Sequence, residues 1–459
     1  QLSSQGIMPS NRAAIVLPNG PEMATAFLSI SSYMSAAPLN PSYKLKEYEF
    51  YLQDLMPKIV IVEKDSQNPA VEAAKNLGIE ICEIKKIDNA PAGIFNLYNK
   101  TTNFELATEN NEALVLHTSG TTSRPKVVPL TNKNIFSSAT NIANSLQLSS
   151  QDHCYNIMPL FHIHGLIAVL SSSINAGASV YASSGFNALK FLETADKESI
   201  TWYSGVPTMH QAILMRAKKN PKLAEELSLR FIRSSSASLP PAVFDELKKI
   251  FKTTVIEAYG MTEATHQMTS NPMPPEKQKA GFVGKPAGPE VCIMDAQGNK
   301  LDSGVDGEVC IRGDNVTNGY ENNEEANKTA FINGWFRTGD QGHFDDEGYL
   351  KISGRLKEII NRGGEKVSPL EVDNILMEHE AVEQVVTFAV KDNLLGEAIG
   401  VAIVLKSGVD CNEIDIKNYA SKHLADFKIP KYIRFLEEIP KGATGKLQRI
   451  GLAEKLGLE

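Results

Sequence analysis

The sequence predicts an α/β protein: a large N-terminal domain of helix-covered sheets plus a small β subdomain, followed by a small mobile α+β C-terminal domain. From residue 12 to about 260, short β-rich apolar runs alternate with longer amphipathic stretches, the pattern of parallel sheets covered by helices. After the proline-rich residues 271–275, short strands are separated by glycines. From about residue 358 to the end, the chain alternates helix, strand and helix again.

The strands and helices of the large domain follow from this alternation. Strands are predicted at residues 13–17, 59–62, 114–118, 155–158, 201–203, 231–234 and 255–258. Helices are predicted at residues 21–34, 132–146, 207–219 and 240–251. The last helix follows Ser238 and opens at Pro240, where a hydroxyl can cap free N–H groups and proline suits the first turn.

The β subdomain is predicted from strands at residues 291–295, 307–312 and 349–353, which glycines punctuate. We place the boundary region at residues 354–364 and divide the chain into domains 1–356 and 357–459. A second domain this small, joined through a charged and glycine-flanked stretch, is expected to reorient against the first.

Composition and charge narrow the classes of partner. The chain is 42% hydrophobic and 22% charged, which is typical of a packed globular protein. Its net charge of −8 argues against a dedicated nucleic-acid or anionic-membrane surface. The apolar runs are much shorter than the ~20 residues of a membrane helix. We therefore expect small-molecule partners, with no nucleic acid and no membrane.

The five cysteines form no CxxC pair, which favours reduced thiols in a reducing compartment. We expect a cytoplasmic protein. A peroxisomal location stays open, because the chain starts at Gln1 without a Met and its native termini are not assured.

A hydroxyl-rich stretch, residues 118–126, follows one predicted strand. Its hydroxyls and cations offer hydrogen bonds and positive charge to a polyphosphate. It lacks the second glycine of a Walker A loop, so a polar surface loop is the alternative on composition alone. The candidate phosphate-binding residues are Thr118, Ser119, Gly120, Thr121, Thr122 and Lys126.

A second polar stretch closes the predicted strand 255–258, at the carboxyl end where open α/β sheets bind ligands. Here the face of Tyr259 can stack on adenine, the hydroxyl of Thr262 can bond phosphate, and an oxygen of Glu263 suits Mg²⁺. Taken singly, an acid such as Glu263 is more often a solvated surface residue than a metal ligand.

Three more residues are candidates on chemical grounds. Asp340 can accept from two ribose hydroxyls, and Arg355 can donate to the same sugar. The alternative for each is a turn with a surface ion pair. Lys446 lies on a glycine-flanked loop near the end of the chain, from which it can point away from its own domain.

In this order, over residues 12–449, these stretches resemble the adenylate-forming superfamily of acyl-CoA synthetases, adenylation domains and luciferases. The resemblance implies a two-step ligase: a carboxylate attacks the α-phosphate of ATP and releases pyrophosphate, and the thiol of CoA then displaces AMP. It implies ATP, Mg²⁺ and coenzyme A, with a small carboxylic acid as substrate. No carrier protein is expected, since thirteen residues follow Lys446.

The same resemblance implies roles for individual residues. The 118–126 loop would hold the β- and γ-phosphates, and Glu263 would bind the metal. Lys357 would be the hinge, and Lys446 would bridge the carboxylate and the α-phosphate during adenylation. Gly364 belongs to a segment that resembles the lining of the CoA tunnel. Further predicted cofactor-binding residues are Ser236, Ala237, Glu257 and Ala258.

The phosphate loop departs from the superfamily pattern at Ser123 and Val127, where glycines are usual. Two missing glycines should stiffen the loop. This variant resembles that of fungal and plant oxalate–CoA ligases, so oxalate becomes the leading candidate substrate.

The predicted acyl pocket supports the same substrate. His162 and His164 resemble the segment that closes this pocket, although a His-x-His pair on a strand could instead bind a metal. Arg233, Ser234 and His266 add polar groups that suit a second carboxylate better than a hydrocarbon, since an unsatisfied buried polar group costs about 1–3 kcal/mol. The alternative is that Arg233 and His266 lie outside the pocket and pair with local acids.

The predicted function is therefore an acid–thiol ligase that activates oxalate with ATP and transfers it to coenzyme A. A medium-chain or aromatic (4-coumarate-like) acyl-CoA ligase is the alternative enzyme. A nucleotide-binding protein without turnover is the alternative from another class.

Overall fold

The computed structural model describes residues 1–118, 125–440 and 449–458, and its first sheet has six strands in the order β4-β3-β1-β2-β7-β8. Five strands pair in parallel, and β8 returns antiparallel to β7. A two-stranded ribbon, β5 and β6, lies beside it. The strands are β1 (Arg12–Val16), β2 (Ser35–Pro38), β3 (Ile59–Val62), β4 (Glu80–Glu83), β5 (Lys85–Lys86), β6 (Phe95–Asn96), β7 (Glu112–His117) and β8 (Val127–Thr131).

The second sheet has seven strands in the order β10-β9-β11-β12-β13-β14-β15. The first five run parallel, and the last two are antiparallel. Its strands are β9 (His153–Asn156), β10 (Ser179–Ala182), β11 (Trp202–Gly205), β12 (Phe231–Ser234), β13 (Thr254–Met261), β14 (His266–Ser270) and β15 (Lys285–Pro286).

Helices cover both sheets. They are α1 (Pro21–Ser31), α2 (Leu45–Leu55), α3 (Pro69–Asn76), α4 (Asn132–Ser145), α5 (Ser172–Asn175), α6 (Phe191–Lys197), α7 (Pro207–Ala217), α8 (Pro221–Glu226) and α9 (Pro241–Phe251). Short 3-10 turns occur at Ser3–Gln5, Thr262–Ala264 and Asp426–Lys428, and a π-helix at His164–Ser171.

The main core lies between the two sheets, where α1 and α4 pack against both and the π-helix packs against the second sheet. Alternation along β1 explains the layering: Ala13 and Ile15 face this core, while Ala14 and Val16 face an outer layer that includes α2 and α3. Helices α6 to α9 cover the outer face of the second sheet. Side chains of both faces are therefore buried, as in other parallel sheets.

A third, antiparallel sheet forms the small β part of the N-terminal region. Its elements are β16 (Glu290–Met294), β17 (Gly307–Arg312), α10 (Glu324–Ala330), β18 (Phe331–Ile332), β19 (Trp335–Phe344) and β20 (Leu350–Arg355). The long connection from β17 to α10 crosses back to the first two sheets and contacts the candidate site.

The C-terminal part has its own sheet, in the order β22-β21-β24-β23 with β25 beside β24. The hydrophobic clusters of this part draw, among the described residues, on positions from Ile360 onward. Its elements are β21 (Ile360–Arg362), β22 (Glu365–Val367), α11 (Pro369–Met377), β23 (Val382–Asp392), β24 (Gly396–Leu405), α12 (Glu413–His423), β25 (Tyr432–Phe435) and α13 (Leu452–Lys455).

The predicted α/β class is confirmed, while two local predictions are wrong. Ser238 does not cap the helix after it: α9 has Pro240 as its N-cap residue and no side-chain cap, and the nearby N–H of Leu239 donates to Glu257 instead. His164 does not lie on a strand but begins the π-helix. Gly165 permits this, because a Cβ there would lie 2.3 Å from the carbonyl oxygen of Pro159. Among the described helices, none is long and apolar enough to cross a membrane.

Candidate active site

The hydroxyl-rich loop leaves the first sheet at β7 and returns at β8. Its two described ends are tied together: the N–H of Thr118 donates to the carbonyl of Lys126 at 2.9 Å, and the N–H of Lys126 donates to Oγ1 of Thr118 at 3.2 Å. The predicted residues Ser119, Gly120, Thr121 and Thr122 lie outside the described residues. The structure therefore fixes where the loop starts and ends.

Glu263 follows the carboxyl end of β13, in the 3-10 turn that starts at Thr262. Its carboxylate is buried and accepts a hydrogen bond from the hydroxyl of Tyr320 at 2.9 Å. Burial raises the pKa of Glu263, while the hydrogen bond from Tyr320 and the charge of Lys126 oppose that shift. The surface-acid alternative for Glu263 is therefore wrong.

Lys126, the residue before β8, reaches the same place. Its Nζ lies over the ring of Tyr320, 4.2 Å from the ring centroid. Both groups therefore contact Tyr320. The amine of Lys126 lies over the face of its ring, and the carboxylate of Glu263 accepts from its hydroxyl. Sequence reasoning placed Lys126 and Glu263 in one site but missed Tyr320.

Tyr259, Asp340 and Arg355 come together from three strands. The hydroxyl of Tyr259 donates to Oδ2 of Asp340, and Nε of Arg355 lies 3.4 Å from Oδ1 of the same carboxylate. Asp340 and Arg355 are cross-strand partners on β19 and β20. Burial and then the charge of Asp340 raise the pKa of Tyr259. The phenol therefore stays neutral and can donate.

Gly260 permits the close approach of this strand to its neighbour. A Cβ at Gly260 would lie 2.0 Å from the carbonyl oxygen of His266, so only glycine fits there. This contact joins the end of β13, which carries Tyr259, to the start of β14, which carries His266.

His164 lies at the centre of a buried polar group. Its Nδ1 is 3.0 Å from Oγ of Ser236, and its Nε2 is 2.7 Å from Oγ of Ser204. Its ring centroid lies 5.0 Å from that of His266. Three separate elements, the π-helix, β11 and β14, therefore converge on one buried polar cluster.

Arg233 completes this group and is fully buried on β12. One terminal nitrogen donates to Oγ of Ser204 at 3.3 Å and lies 3.5 Å from Nε2 of His164, and the other donates to Gln267 at 3.1 Å. Burial lowers the pKa of Arg233 to about 9.

The buried guanidinium has no carboxylate partner in the described part of the chain, and its Nε has no hydrogen-bond acceptor there. Arg233 therefore does not pair with a local acid among the described residues. An anion beside Arg233 would supply the missing countercharge.

The remaining pocket predictions lie close to this group. Ser234 is buried next to Arg233, and its hydroxyl has no hydrogen-bond partner among the described residues. The ring of His162 packs on Phe161 with centroids 4.4 Å apart, in the loop before the π-helix. Ser236 adopts a left-handed backbone conformation with φ of 72°, and Ala237 beside it is exposed.

Glu257 and Ala258 face away from solvent on β13. One oxygen of Glu257 accepts from the N–H of Leu239 at 2.9 Å, and the other has no partner among the described residues. Burial raises the pKa of Glu257 to about 8, which favours its protonated form. The carbonyl of Ala258 accepts from Ser235.

A cleft of about 610 Å³ opens at the carboxyl ends of strands from both sheets. It reaches the loop that carries His162 through its lining residues Pro159 and Phe161. Asn19, Asn40, Ser42 and Glu47 give other parts of its wall a polar character.

The boundary residues are separate from this centre. Lys357 is exposed in the turn between β20 and β21, and Gly364 is exposed between β21 and β22 with φ of 95°. Lys446 lies outside the described residues.

Sequence reasoning missed Ser204 as well as Tyr320, and did not single out Gln267. Ser204 is a polar residue within an otherwise apolar run of β11, which is the signal that could have indicated it. No local signal marks Tyr320, because its partners are distant in sequence.

Comparisons with known proteins agree with this arrangement. Residues 1–321 match the model of the AMP-binding enzyme family, and residues 371–446 match that of the AMP-binding enzyme C-terminal domain. An oxalate–CoA ligase of Arabidopsis thaliana is 46% identical, covering 98% of this chain and 89% of that protein. An oxalate–CoA ligase of Saccharomyces cerevisiae is 43% identical, covering 98% of this chain and 87% of that protein.

A solved structure gives the same result. The O-succinylbenzoate coenzyme A synthetase of Bacillus subtilis, in complex with ATP and a magnesium ion, is 28% identical with a TM-score of 0.84. The match covers 98% of this chain and 90% of that one. From the converging strand ends, the buried carboxylate and the two family matches, we conclude that this chain belongs to the AMP-binding enzyme family.

Proposed function

We propose that this protein is an AMP-forming acid–thiol ligase that converts oxalate to oxalyl-CoA with ATP. The observation that carries the choice of acid is Arg233, a fully buried cation without a carboxylate partner among the described residues. A carboxylate beside it would offset the cost of burying the charge. A hydrocarbon tail would leave that cost in place, so a short dicarboxylate suits this pocket better than a fatty or aromatic acid.

The second carboxylate of oxalate would lie against Arg233, His164 and His266, with the hydroxyl of Ser234 within the same wall. Because Arg233 already uses Ser204 and Gln267 as anchors, its guanidinium is held in place before the acid arrives. His162 would close the pocket on the side of the reacting carboxylate.

For the nucleotide, we propose that Tyr259 packs on adenine and that Asp340 and Arg355 hold the ribose. Thr118 and Lys126 would bind the phosphates together with Ser119, Gly120, Thr121 and Thr122, and Thr262 would contact phosphate as well. Ser236, Ala237, Glu257 and Ala258 are proposed to shape the rest of the nucleotide site.

Glu263 fits the proposed role of metal ligand. It is a buried carboxylate next to the phosphate-loop lysine, and Mg²⁺ prefers oxygen ligands. When bound, Mg²⁺ supplies positive charge to the phosphate oxygens of ATP. Glu263 holds that charge in a place from which bulk water is largely excluded.

The reaction then follows from charge placement. An oxygen of the acid forms a bond to the α-phosphorus, and the bond to the bridging oxygen of pyrophosphate breaks. In the second step the sulfur of CoA bonds to the acyl carbon, AMP leaves, and the thiol proton is released. Lys446 is proposed to bridge the two anions in the first step, since their mutual repulsion opposes it.

We further propose that domains 1–356 and 357–459 change their relative orientation between the steps. The separate hydrophobic clusters from Ile360 onward support this boundary, and Lys357 in the exposed turn is the proposed hinge. Gly364 would then face the pantetheine arm of CoA.

The proposed partners are oxalate, ATP and coenzyme A, without a carrier protein, nucleic acid or a membrane. We propose the cytoplasm as the location, with the peroxisome as the alternative.

The test of the acid is pyrophosphate release measured with oxalate, malonate, acetate, octanoate and coumarate. We expect the highest kcat/KM with oxalate. A preference for octanoate or coumarate would overturn the polar-pocket argument in favour of a medium-chain or aromatic acyl-CoA ligase. Nucleotide binding without pyrophosphate release from any acid would favour a non-catalytic protein.

A further inference from the structure

Tyr320 lies in the connection from β17 to α10 and contacts two groups of the candidate site. Its hydroxyl donates to Oε1 of Glu263 at 2.9 Å, and its ring lies under the amine of Lys126 at 4.2 Å. The residue is 9% exposed, so both contacts are shielded from water. These two partners are 137 positions apart in the sequence and meet on this one side chain.

The connection that carries Tyr320 is tied to both sides of the site. The N–H of Thr317 donates to the carbonyl of Glu263 at 2.8 Å, and its hydroxyl donates to the carbonyl of Pro129 at 3.0 Å. The N–H of Glu321 donates to the carbonyl of Val127 at 3.0 Å. The connection therefore bridges the exit of the phosphate loop and the turn of Glu263.

Tyr320 itself is clamped by its neighbours. Asn327 of α10 accepts from the N–H of Tyr320 at 2.8 Å and donates to its carbonyl at 2.7 Å. The next residue, Glu321, forms an ion pair with Arg12 of β1, which also binds Glu112 of β7. The ring position is thus set by the framework of the first sheet.

We propose that Tyr320 is a positioning residue that fixes the carboxylate of Glu263 and the amine of Lys126 relative to each other for binding of Mg²⁺ and ATP. The inference rests on the roles proposed above for Glu263 and Lys126. A carboxylate has about four acceptor positions on two oxygens, so the bond from Tyr320 orients Glu263 and leaves acceptors for a metal. The ring face holds Lys126 through a cation–π contact and leaves its three N–H donors available to phosphate.

The two contacts use different parts of the side chain and can be removed separately. Tyr320→Phe deletes the hydroxyl and keeps the ring. Tyr320→Leu deletes both. Tyr33→Phe is a matched control, since the buried hydroxyl of Tyr33 donates to the carbonyl of Ile7 and has no contact with the proposed metal or phosphate residues.

The experiment measures binding of α,β-methylene-ATP by calorimetry, with and without Mg²⁺, for the wild type and the three variants. We expect Tyr320→Phe to reduce the gain in affinity due to Mg²⁺ by about tenfold, since a hydrogen bond to a charged group is lost. Its affinity without Mg²⁺ should stay within about twofold of the wild type. Tyr320→Leu should in addition weaken binding without Mg²⁺ by about threefold or more. Tyr33→Phe should match the wild type in both conditions.

Three results would overturn the proposal. The first is that Tyr320→Phe keeps the full gain in affinity for the ATP analogue that Mg²⁺ gives the wild type. The second is equal losses with and without Mg²⁺, which indicate a general packing role. The third is that Tyr33→Phe changes the affinity for the analogue, with and without Mg²⁺, in the same way as Tyr320→Phe. A wild-type protein that does not bind the analogue would instead defeat the proposed function, and with it this inference. Tyr320→Leu could fail to fold. The comparison of Tyr320→Phe with the wild type still tests the proposal in that case, because Tyr320→Phe keeps the ring.

Discussion

At the scale of single residues, the fold buries charged side chains of the candidate site before any ligand arrives. Arg233 is anchored by Ser204 and Gln267, both neutral, so its positive charge is not cancelled by a carboxylate among the described residues. Glu263 is buried on the phosphate side, with Tyr320 as its donor. A buried cation without a countercharge, as at Arg233, lowers stability, and such groups are typical of sites where a ligand of opposite charge completes the arrangement.

We predict that Arg233→Met reduces kcat/KM for oxalate by about 100-fold or more, since one partner of a buried charge pair is lost. Activity with acetate, which has no second carboxylate, should change by less than about fivefold. The variant should fold, because a buried cation without a countercharge is replaced by an apolar side chain of similar size. Steady-state pyrophosphate release with both acids measures this.

Arg230→Met is the control for this prediction. Arg230 is near Arg233 in sequence but pairs with Asp152 and is partly exposed. It should retain the ratio of oxalate to acetate activity. If Arg233→Met also retains that ratio, including by losing activity with both acids to the same extent, Arg233 does not recognise the second carboxylate.

A second residue, His210, gives a pH dependence of stability. It is fully buried on α7, its Nδ1 lies 3.2 Å from the hydroxyl of Tyr203, and its Nε2 has no partner among the described residues. Burial lowers the pKa of His210 to about 4, against 6.5 for the free side chain. Between these values the unfolded chain binds a proton that the folded chain does not bind, so the free energy of unfolding falls as pH falls.

We predict that His210→Gln removes this part of the pH dependence. For the wild type, His210 should lower the free energy of unfolding by about 2–3 kcal/mol between pH 7.5 and 4.5. Urea unfolding at several pH values measures the difference between the two proteins. That difference should change steadily below pH 6.5 and stay constant above pH 7.5. A difference that is constant at every pH would contradict the predicted low pKa of His210.

At the scale of secondary-structure elements, an ion-pair cluster joins the first sheet to the connection that carries Tyr320. Arg12 on β1 binds Glu112 on β7 and Glu321 before α10, and all three side chains are at most about one quarter exposed. Removing the cation would leave two carboxylates close together and only partly solvated.

We predict that Arg12→Met lowers the free energy of unfolding by about 3 kcal/mol, because breaking a buried pair leaves uncompensated charge. Lys328→Met, which breaks the exposed pair with Glu325, should cost less than about 1 kcal/mol. Denaturant unfolding measures both. Equal effects of the two substitutions would show that the Arg12 cluster has no special role.

Local pattern predicted the elements of the sheets well and the site contacts only partly. The strands at residues 59–62 and 231–234 have the predicted bounds. The first is a run of four buried β-branched residues, and the second is fully buried and begins with Phe231 and Ile232. The π-helix at His164–Ser171 could not be predicted, since every side chain in it is buried and an apolar run carries no periodicity. Gly165 against Pro159 is a long-range constraint that local pattern does not contain.

Within the site, the predictable part was the chemistry at strand ends. Glu263, Asp340 and Arg355 were identified from residue type, position and family resemblance, and the structure places each beside a candidate partner. Tyr320 and Ser204 were missed because they are defined by contacts between segments far apart in the chain. Burial of Arg233 without a described carboxylate partner also required the structure.

At the scale of the whole molecule, two sets of hydrophobic clusters are joined by the turn that holds Lys357. Arg449, which follows the Lys446 loop, is held on the C-terminal part by Asp373 at 2.6 Å and the carbonyl of Thr387 at 2.9 Å. It also lies 3.5 Å from Glu358, next to the proposed hinge. The chain segment after Lys446 is therefore anchored to the part of the molecule that is proposed to move.

We propose that Lys446 supplies the positive charge that lets oxalate attack the α-phosphate of ATP. The direct measurement is oxalate-dependent pyrophosphate release by Lys446→Ala, with AMP affinity measured by calorimetry and Lys441→Ala from the same loop as control. We predict a loss of release by about 100-fold or more in Lys446→Ala, with AMP affinity within about threefold of the wild type and Lys441→Ala close to normal in both. Unchanged pyrophosphate release in Lys446→Ala would contradict the account.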